Sequence, residues 1–269
     1  MNSIPATFPT YISYGNYLFD IAKLVAEHHE AMLQSTTPFT KYQHVLDYDT
    51  QMRNLATKGM PRYFHVMEPV DASWPKWVHW ARSSLTICFA HKIIMIHRAY
   101  IRQSFTNLVY SKTRVTCIAA AKTILNEAKQ ARDVNSPIIW IDKAYCVAAA
   151  IILCLDIFYR SETEPEFLTH KDLVLQCIEQ LRSLESGVVA VRGAELLSEI
   201  LAERDRTGFI SGWPPQGIDI SKMFQEFPAE DTHERSLEYM SSAELFPPQI
   251  GFSNSFLIKN LLGHNASGD

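Results

Sequence analysis

Between Tyr11 and Arg204 the apolar positions recur at steps of three and four residues, and no stretch alternates strictly at a period of two. The pattern therefore predicts helices and few or no strands. Tyr14, Leu18, Ile21, Leu24, Val25 and His28 mark a first helix from about Tyr11 to Leu33. A second is expected from about Thr40 to Ala56, ended by Gly59 and Pro61, with a crossing loop over Met60 to Ala72. The third is the longest, from near Ser73, with Pro75 in its first turn, to about Gln103. Its middle, Leu85 to Ile96, is apolar on nearly every face, which is the mark of a central helix. Ser111 to Arg132 follows with one apolar stripe. Ser136 and Pro137 predict a capped start for a second central helix, Ile138 to about Tyr159. Leu173 to Leu184 carries a sixth stripe, which Gly187 is expected to stop, and Val188 to about Arg204 a seventh.

Glycine and proline placement agrees with this division. Only Gly59 falls between Gly15 and Gly187, and only Pro137 and Pro165 between Pro75 and Pro214, each where a helix would begin. Beyond Arg206 the pattern breaks at Gly208, Gly212, Pro214, Pro215 and Gly217. From Asp219 to Glu244 acids outnumber bases and are interleaved with Met223, Phe224, Phe227, Leu237 and Tyr239. Two readings of that tail stand side by side: an acidic and aromatic activation segment, or a tail whose aromatics pack on the helical body. The expected fold is all-α, an irregular bundle of about seven helices around two central apolar ones. It comprises a helical domain over residues 1–206 and a flexible C-terminal tail over residues 207–269.

Composition narrows the function classes. Of 269 residues, 47% are hydrophobic and 20% charged, the balance of a globular chain. A net charge of -4 leaves nucleic-acid binding to a local basic patch, and none stands out. The five cysteines, Cys88, Cys117, Cys146, Cys154 and Cys177, are scattered singly in apolar stretches and read as reduced core thiols of a cytosolic or nuclear protein. Met1 to Tyr14 lacks the basic flank and apolar core of a signal peptide. The longest apolar run, Ala144 to Leu155, is too short to cross a bilayer, so no membrane contact is expected.

Candidate chemistry is sparse. His97 shares a face of the third helix with Ala90, Ile93, Ile94 and Ile101, where a histidine more often hydrogen-bonds a neighbouring helix than catalyses. Arg98 is expected to cap a helix or to pair with an acid such as Asp156. His28 and His29 are adjacent and lack metal spacing, and His44 with Asp47 or Asp49 lacks a third ligand, so neither a metal nor another cofactor is expected. There is no Gly-x-Ser-x-Gly, no phosphate-cradling glycine loop and no dinucleotide fingerprint.

The segment Lys92-Ile93-Ile94-Met95-Ile96-His97-Arg98-Ala99-Tyr100-Ile101 resembles the signature of the regulatory domain, or middle homology region, of fungal zinc-cluster transcription factors. Members of that family usually read lysine, apolar residues, then His-Arg-Pro and an aromatic. Lys92, His97, Arg98 and Tyr100 match, and Ala99 stands where the proline is usual, which lets the helix run on. Tyr42 to Leu55, the Trp77 region, the Thr116 to Ala131 helix and the Val147 to Asp156 run follow in the family's order, so the resemblance covers about residues 11 to 205, the carboxyl-terminal half of a typical regulatory domain.

The resemblance implies a domain that modulates transcription in the nucleus, or between nucleus and cytoplasm, through transcriptional co-regulators or a small-molecule effector. A homodimer is compatible with it. The family's binuclear zinc cluster is absent from these residues, so direct DNA contact by this chain is not expected. A fragment, a shortened gene product or a relative that has lost the reader would all fit. Trp77, Trp80, Phe89, His97, Tyr100, Trp140, Tyr145 and Phe158 are large and lie near the central helices, and are expected to line a pocket, with Asp156 beside them. The alternative is a stand-alone helical enzyme or small-molecule binder of a fungal metabolic cluster on the same scaffold, with His97, His91 and Asp156 as acid and base.

Overall fold

The computed structural model describes residues 8–130, 140–183 and 187–208, which all fall in one compact unit. Among them are seven α-helices and no strand: α1 (Tyr11–Gln34), α2 (Pro38–Asn54), α3 (Trp77–Ser104), α4 (Ser111–Gln130), α5 (Trp140–Phe158), α6 (Pro165–Arg182) and α7 (Val188–Thr207). The all-helical expectation is met. The tail and the Ser136-Pro137 cap lie outside the described residues.

Local chemistry explains most helix starts. Thr10 and Ser13 form a reciprocal capping box on α1, each side chain accepting the other's backbone N–H at 3.0 Å. Thr37 caps α2 by accepting the Thr40 N–H at 3.1 Å, and Pro38 opens the first turn. Pro165 opens α6 in the same way. Helix α3 begins at Trp77, later than the apolar pattern suggests. The Asp71 carboxylate accepts the Ser73 N–H at 2.8 Å and its hydroxyl at 2.7 Å, which holds the preceding residues in a turn. Gly187 stands in extended backbone immediately before α7, where it was expected to stop α6, which closes earlier at Arg182.

The helices pack in chain order: α1 and α2 against each other and against α3, α3 most extensively on α4, α4 on α5, and α6 with α7 on the far side of α5. From Ala144 to Phe158 every residue of α5 except Ala148 is buried, as expected of a helix apolar all round. Helix α3 is the other centre. It touches α1, α2, α4 and α5 while its end turns Arg98, Ala99, Arg102 and Gln103 outward.

Three close fits hold this arrangement. A Cβ added to Gly193 of α7 would lie 2.5 Å from Val147 Cγ2, so only glycine allows α7 to approach α5 this closely. Arg204 of α7 is buried and caps the end of α5, donating from Nε to the Ile157 carbonyl and from Nη2 to the Arg160 carbonyl, both at 3.2 Å. Arg82 of α3 pins the loop between α2 and α3 by donating to the carbonyls of Tyr63 at 2.8 Å and Glu68 at 2.7 Å.

Candidate functional site

Two buried carboxylates organise the polar interior. Asp49 on α2 accepts both bonds of a fork from Arg53 Nε, at 3.1 and 3.0 Å, and faces His97 Nε2 at 3.5 Å. His97 is fully buried. Its Nδ1 lies 2.9 Å from the Thr113 hydroxyl of α4, which in turn lies 3.5 Å from the Tyr42 phenol of α2. Burial would push the Asp49 carboxyl up, but hydrogen bonds from His97 and Arg53 outweigh it and hold the acid below its ordinary value.

Asp156, near the end of α5, is the second centre. Its Oδ1 accepts Arg114 Nε at 2.9 Å and Arg114 Nη2 at 2.6 Å, while Oδ2 accepts Arg160 Nε and faces His170 Nδ1 of α6 at 2.9 Å. Burial alone would raise this carboxyl, and bonds from His170, Arg160 and Arg114 instead hold it at about 2. Arg160 also donates from Nη1 to Glu164 at 2.8 Å, and Glu164 accepts the Ser161 N–H at 2.8 Å, so the turn into α6 is tied to the same centre.

The residues of the sequence motif divide between two places. His97 belongs to the Asp49 centre, and Tyr100 sits beside it, packed with Tyr42 and Tyr110 and donating to the Pro38 carbonyl at 2.9 Å. Lys92 is directed toward α5, with Nζ 3.4 Å from the Tyr145 hydroxyl; burial lowers its pKa. His91 stacks on the same Tyr145 ring at 3.8 Å, and burial holds it well below the usual histidine range. Arg98 is exposed and does not reach Asp156, because that acid is already enclosed by Arg114, Arg160 and His170.

The large residues expected to share a pocket are spread over several contacts. Trp77 stacks on Tyr11 at 4.6 Å and Trp80 meets Tyr14 edge-on at 5.7 Å, both against α1. Phe89 packs on Tyr17 at 5.5 Å, and Phe158 is buried at the end of α5. The side chain of Trp140 lies outside the described residues. Among these, Phe89 borders a cavity of about 260 Å³ between α3, α4 and the loop carrying Phe64 and His65. A larger open cavity, of about 450 Å³, lies where the end of α3, the start of α4 and the turn between α5 and α6 meet. It is walled by Phe105, Val115, Ile118, Arg114, Arg160 and Glu164. The Phe105 ring stacks on Tyr159 at 4.8 Å, and the Arg114 guanidinium lies over Phe105, also at 4.8 Å.

Sequence reasoning passed over Arg114, Arg160, His170 and Thr113. A signal for both centres was present: Asp49 and Arg53, and Asp156 and Arg160, repeat the same Asp-x-x-x-Arg spacing, which sets the first pair on one face of α2 and lets Arg160 fold back on Asp156 from the turn just past α5. Among the described residues no group of three or more His, Cys, Asp and Glu is arranged to hold a metal, and no helix is long and apolar enough to cross a membrane. Comparison of the chain with protein-family models, curated proteins and solved structures found no match.

Proposed function

We propose that the helical body is a regulatory and interaction module of the fungal zinc-cluster transcription-factor type, acting in the nucleus through co-regulators or a small effector and carrying out no chemistry itself. The observation that carries this reading is the use to which the motif histidine is put. His97 is fully buried between Asp49 of α2 and Thr113 of α4, so it ties three helices together and has no access to a substrate. The other groups an enzyme would draw on are committed in the same way. Asp156 is enclosed by two arginines and His170, and His91 lies flat against Tyr145. A motif whose polar residues hold helices in register suits a domain that responds to binding by shifting its packing.

One observation favours the second reading, a stand-alone small-molecule binder of a fungal metabolic cluster: the cavity beside Arg114 and Arg160 is of a size that ligand sites occupy. Reporter assays separate the two. The full chain fused to an unrelated DNA-binding domain should alter reporter output in a fungal host, and residues 207–269 alone should raise it if the tail activates. Output equal to that of the DNA-binding domain alone, for both fusions, would remove the regulatory reading.

A further inference from the structure

We propose that Arg114 and Arg160 anchor the carboxylate of a small organic acid, whose apolar body lies along Phe105, Val115 and Ile118. The inference supplies an effector class for the regulatory reading and rests on that reading for its purpose, although not for the binding itself.

Both guanidiniums are held in place before any ligand arrives. Arg114 spends Nε and Nη2 on Asp156 Oδ1 and lies over the Phe105 ring; Arg160 spends Nε on Asp156 Oδ2 and Nη1 on Glu164. Arg114 Nη1 and Arg160 Nη2 are left without a protein acceptor among the described residues, and both side chains border the cavity of about 450 Å³. Fixed donors that need no reordering bind an oxyanion with little loss of side-chain entropy, and guanidinium matches carboxylate geometry. Glu164 is the one acid on the wall. Its Oε2 accepts Arg160 Nη1 and its Oε1 the Ser161 N–H, so both of its oxygens are already engaged.

The rest of the wall excludes a bare inorganic ion as the best fit. Phe105, Val115 and Ile118 offer apolar surface that phosphate cannot use, and the Phe105 and Tyr159 rings lie nearly parallel, 20° apart, presenting a flat side. The chemistry that satisfies both halves is a single carboxylate on a flat or chain-like apolar body.

Binding is measured on the full chain by ligand-observed NMR and thermal shift, with benzoate and octanoate as probes and benzamide, octanol and inorganic phosphate as comparators. The carboxylates should bind and raise Tm, and the three comparators should bind at least about tenfold more weakly. Two variants avoid the Asp156 centre. Ser111→Glu adds a negative charge at the cavity mouth, on a helix start that tolerates acids, and Val115→Trp fills the cavity from a position that is 68% exposed. Each should weaken benzoate binding by about tenfold with Tm unchanged in its absence. Binding of phosphate or the neutral analogues equal to that of benzoate, or benzoate binding untouched by both variants, would overturn the site. Carboxylate binding with no effect on reporter output would keep the site and remove its regulatory purpose.

Discussion

The Asp49 and Asp156 centres are built from the same parts. Each has a buried aspartate, an arginine four residues later in the chain, on the same helix for Arg53 and in the turn just past α5 for Arg160, and a buried histidine from another helix. Helix α4 serves both, with Thr113 at one and its neighbour Arg114 at the other. They differ in how the positive charge is housed. Arg53 is 51% exposed, so its far side is solvated, and the Asp49 centre faces inward through His97 and Thr113. Arg114 and Arg160 are 26% and 19% exposed, and both pair with Asp156. One buried carboxylate thus binds two confined guanidiniums, of which Arg160 also pairs with Glu164 and Glu166 at the surface, and both side chains border a cavity. The closed centre is architecture, while the open one has donors to spare.

That contrast breaks first under truncation. Replacing Asp156 by alanine strands the Arg114 guanidinium and His170 and leaves Arg160 only its surface partners Glu164 and Glu166, and should cost about 3–5 kcal/mol. Asp49→Ala strands a guanidinium that can turn to water and a histidine that keeps Thr113, and should cost about 1–2 kcal/mol. Urea midpoints at constant m-value decide the point. Equal losses at the two sites would mean that solvation of the arginine is not what separates them.

Acid is the next test. The folded Asp156 carboxyl lies at about 2, below its ordinary value near 4, so its contribution is complete above about pH 4 and is lost as pH falls toward 2. The loss should amount to roughly 2 kcal/mol over that window. Asp49 shifts in the same direction. Asp156→Asn should flatten the acid limb of the stability curve more than Asp49→Asn does, as read from urea midpoints at pH 5 and pH 3. An unchanged acid limb in Asp156→Asn would deny the centre its electrostatic role.

Much of the fold was legible in the sequence, because periodicity, capping residues and proline placement are local. Pro165 marks a helix start before any contact is known, whereas the Thr10 and Thr37 caps, equally local, were not read from the sequence. The Asp71 turn that delays α3 hides inside an apparently continuous pattern, and Gly193 reads as a weak point of α7 until Val147 is seen against it. The candidate site was less legible. Its Asp-x-x-x-Arg spacings could have been read, but His170 and Arg114 reach Asp156 from helices far along the chain, and no spacing announces a meeting of three helices. The motif residues were found, yet what His97 touches depends on the packing of α2 and α4.

A third acid sharpens the comparison by lacking what the other two have. Burial raises the Asp142 carboxyl of α5 to about 7, and the Lys143 charge and the Ser84 hydroxyl offset that only in part. No guanidinium pairs with it among the described residues, so the sign of its linkage is opposite. Its folded pKa is above its unfolded one, so its contribution is present below about pH 4 and is lost as pH rises through 7. Asp142→Asn should therefore stabilise the protein at pH 8 by about 1 kcal/mol, the modest size reflecting solvent screening at a half-buried residue, and should give a smaller gain at pH 5. Asp156→Asn should destabilise at both values, because Asp156 is ionised and paired throughout that range. Urea midpoints of the two variants at pH 5 and pH 8 separate a paired buried acid from an unpaired one. An Asp142→Asn gain of the same size at both pH values would place the effect in packing and remove charge as its cause.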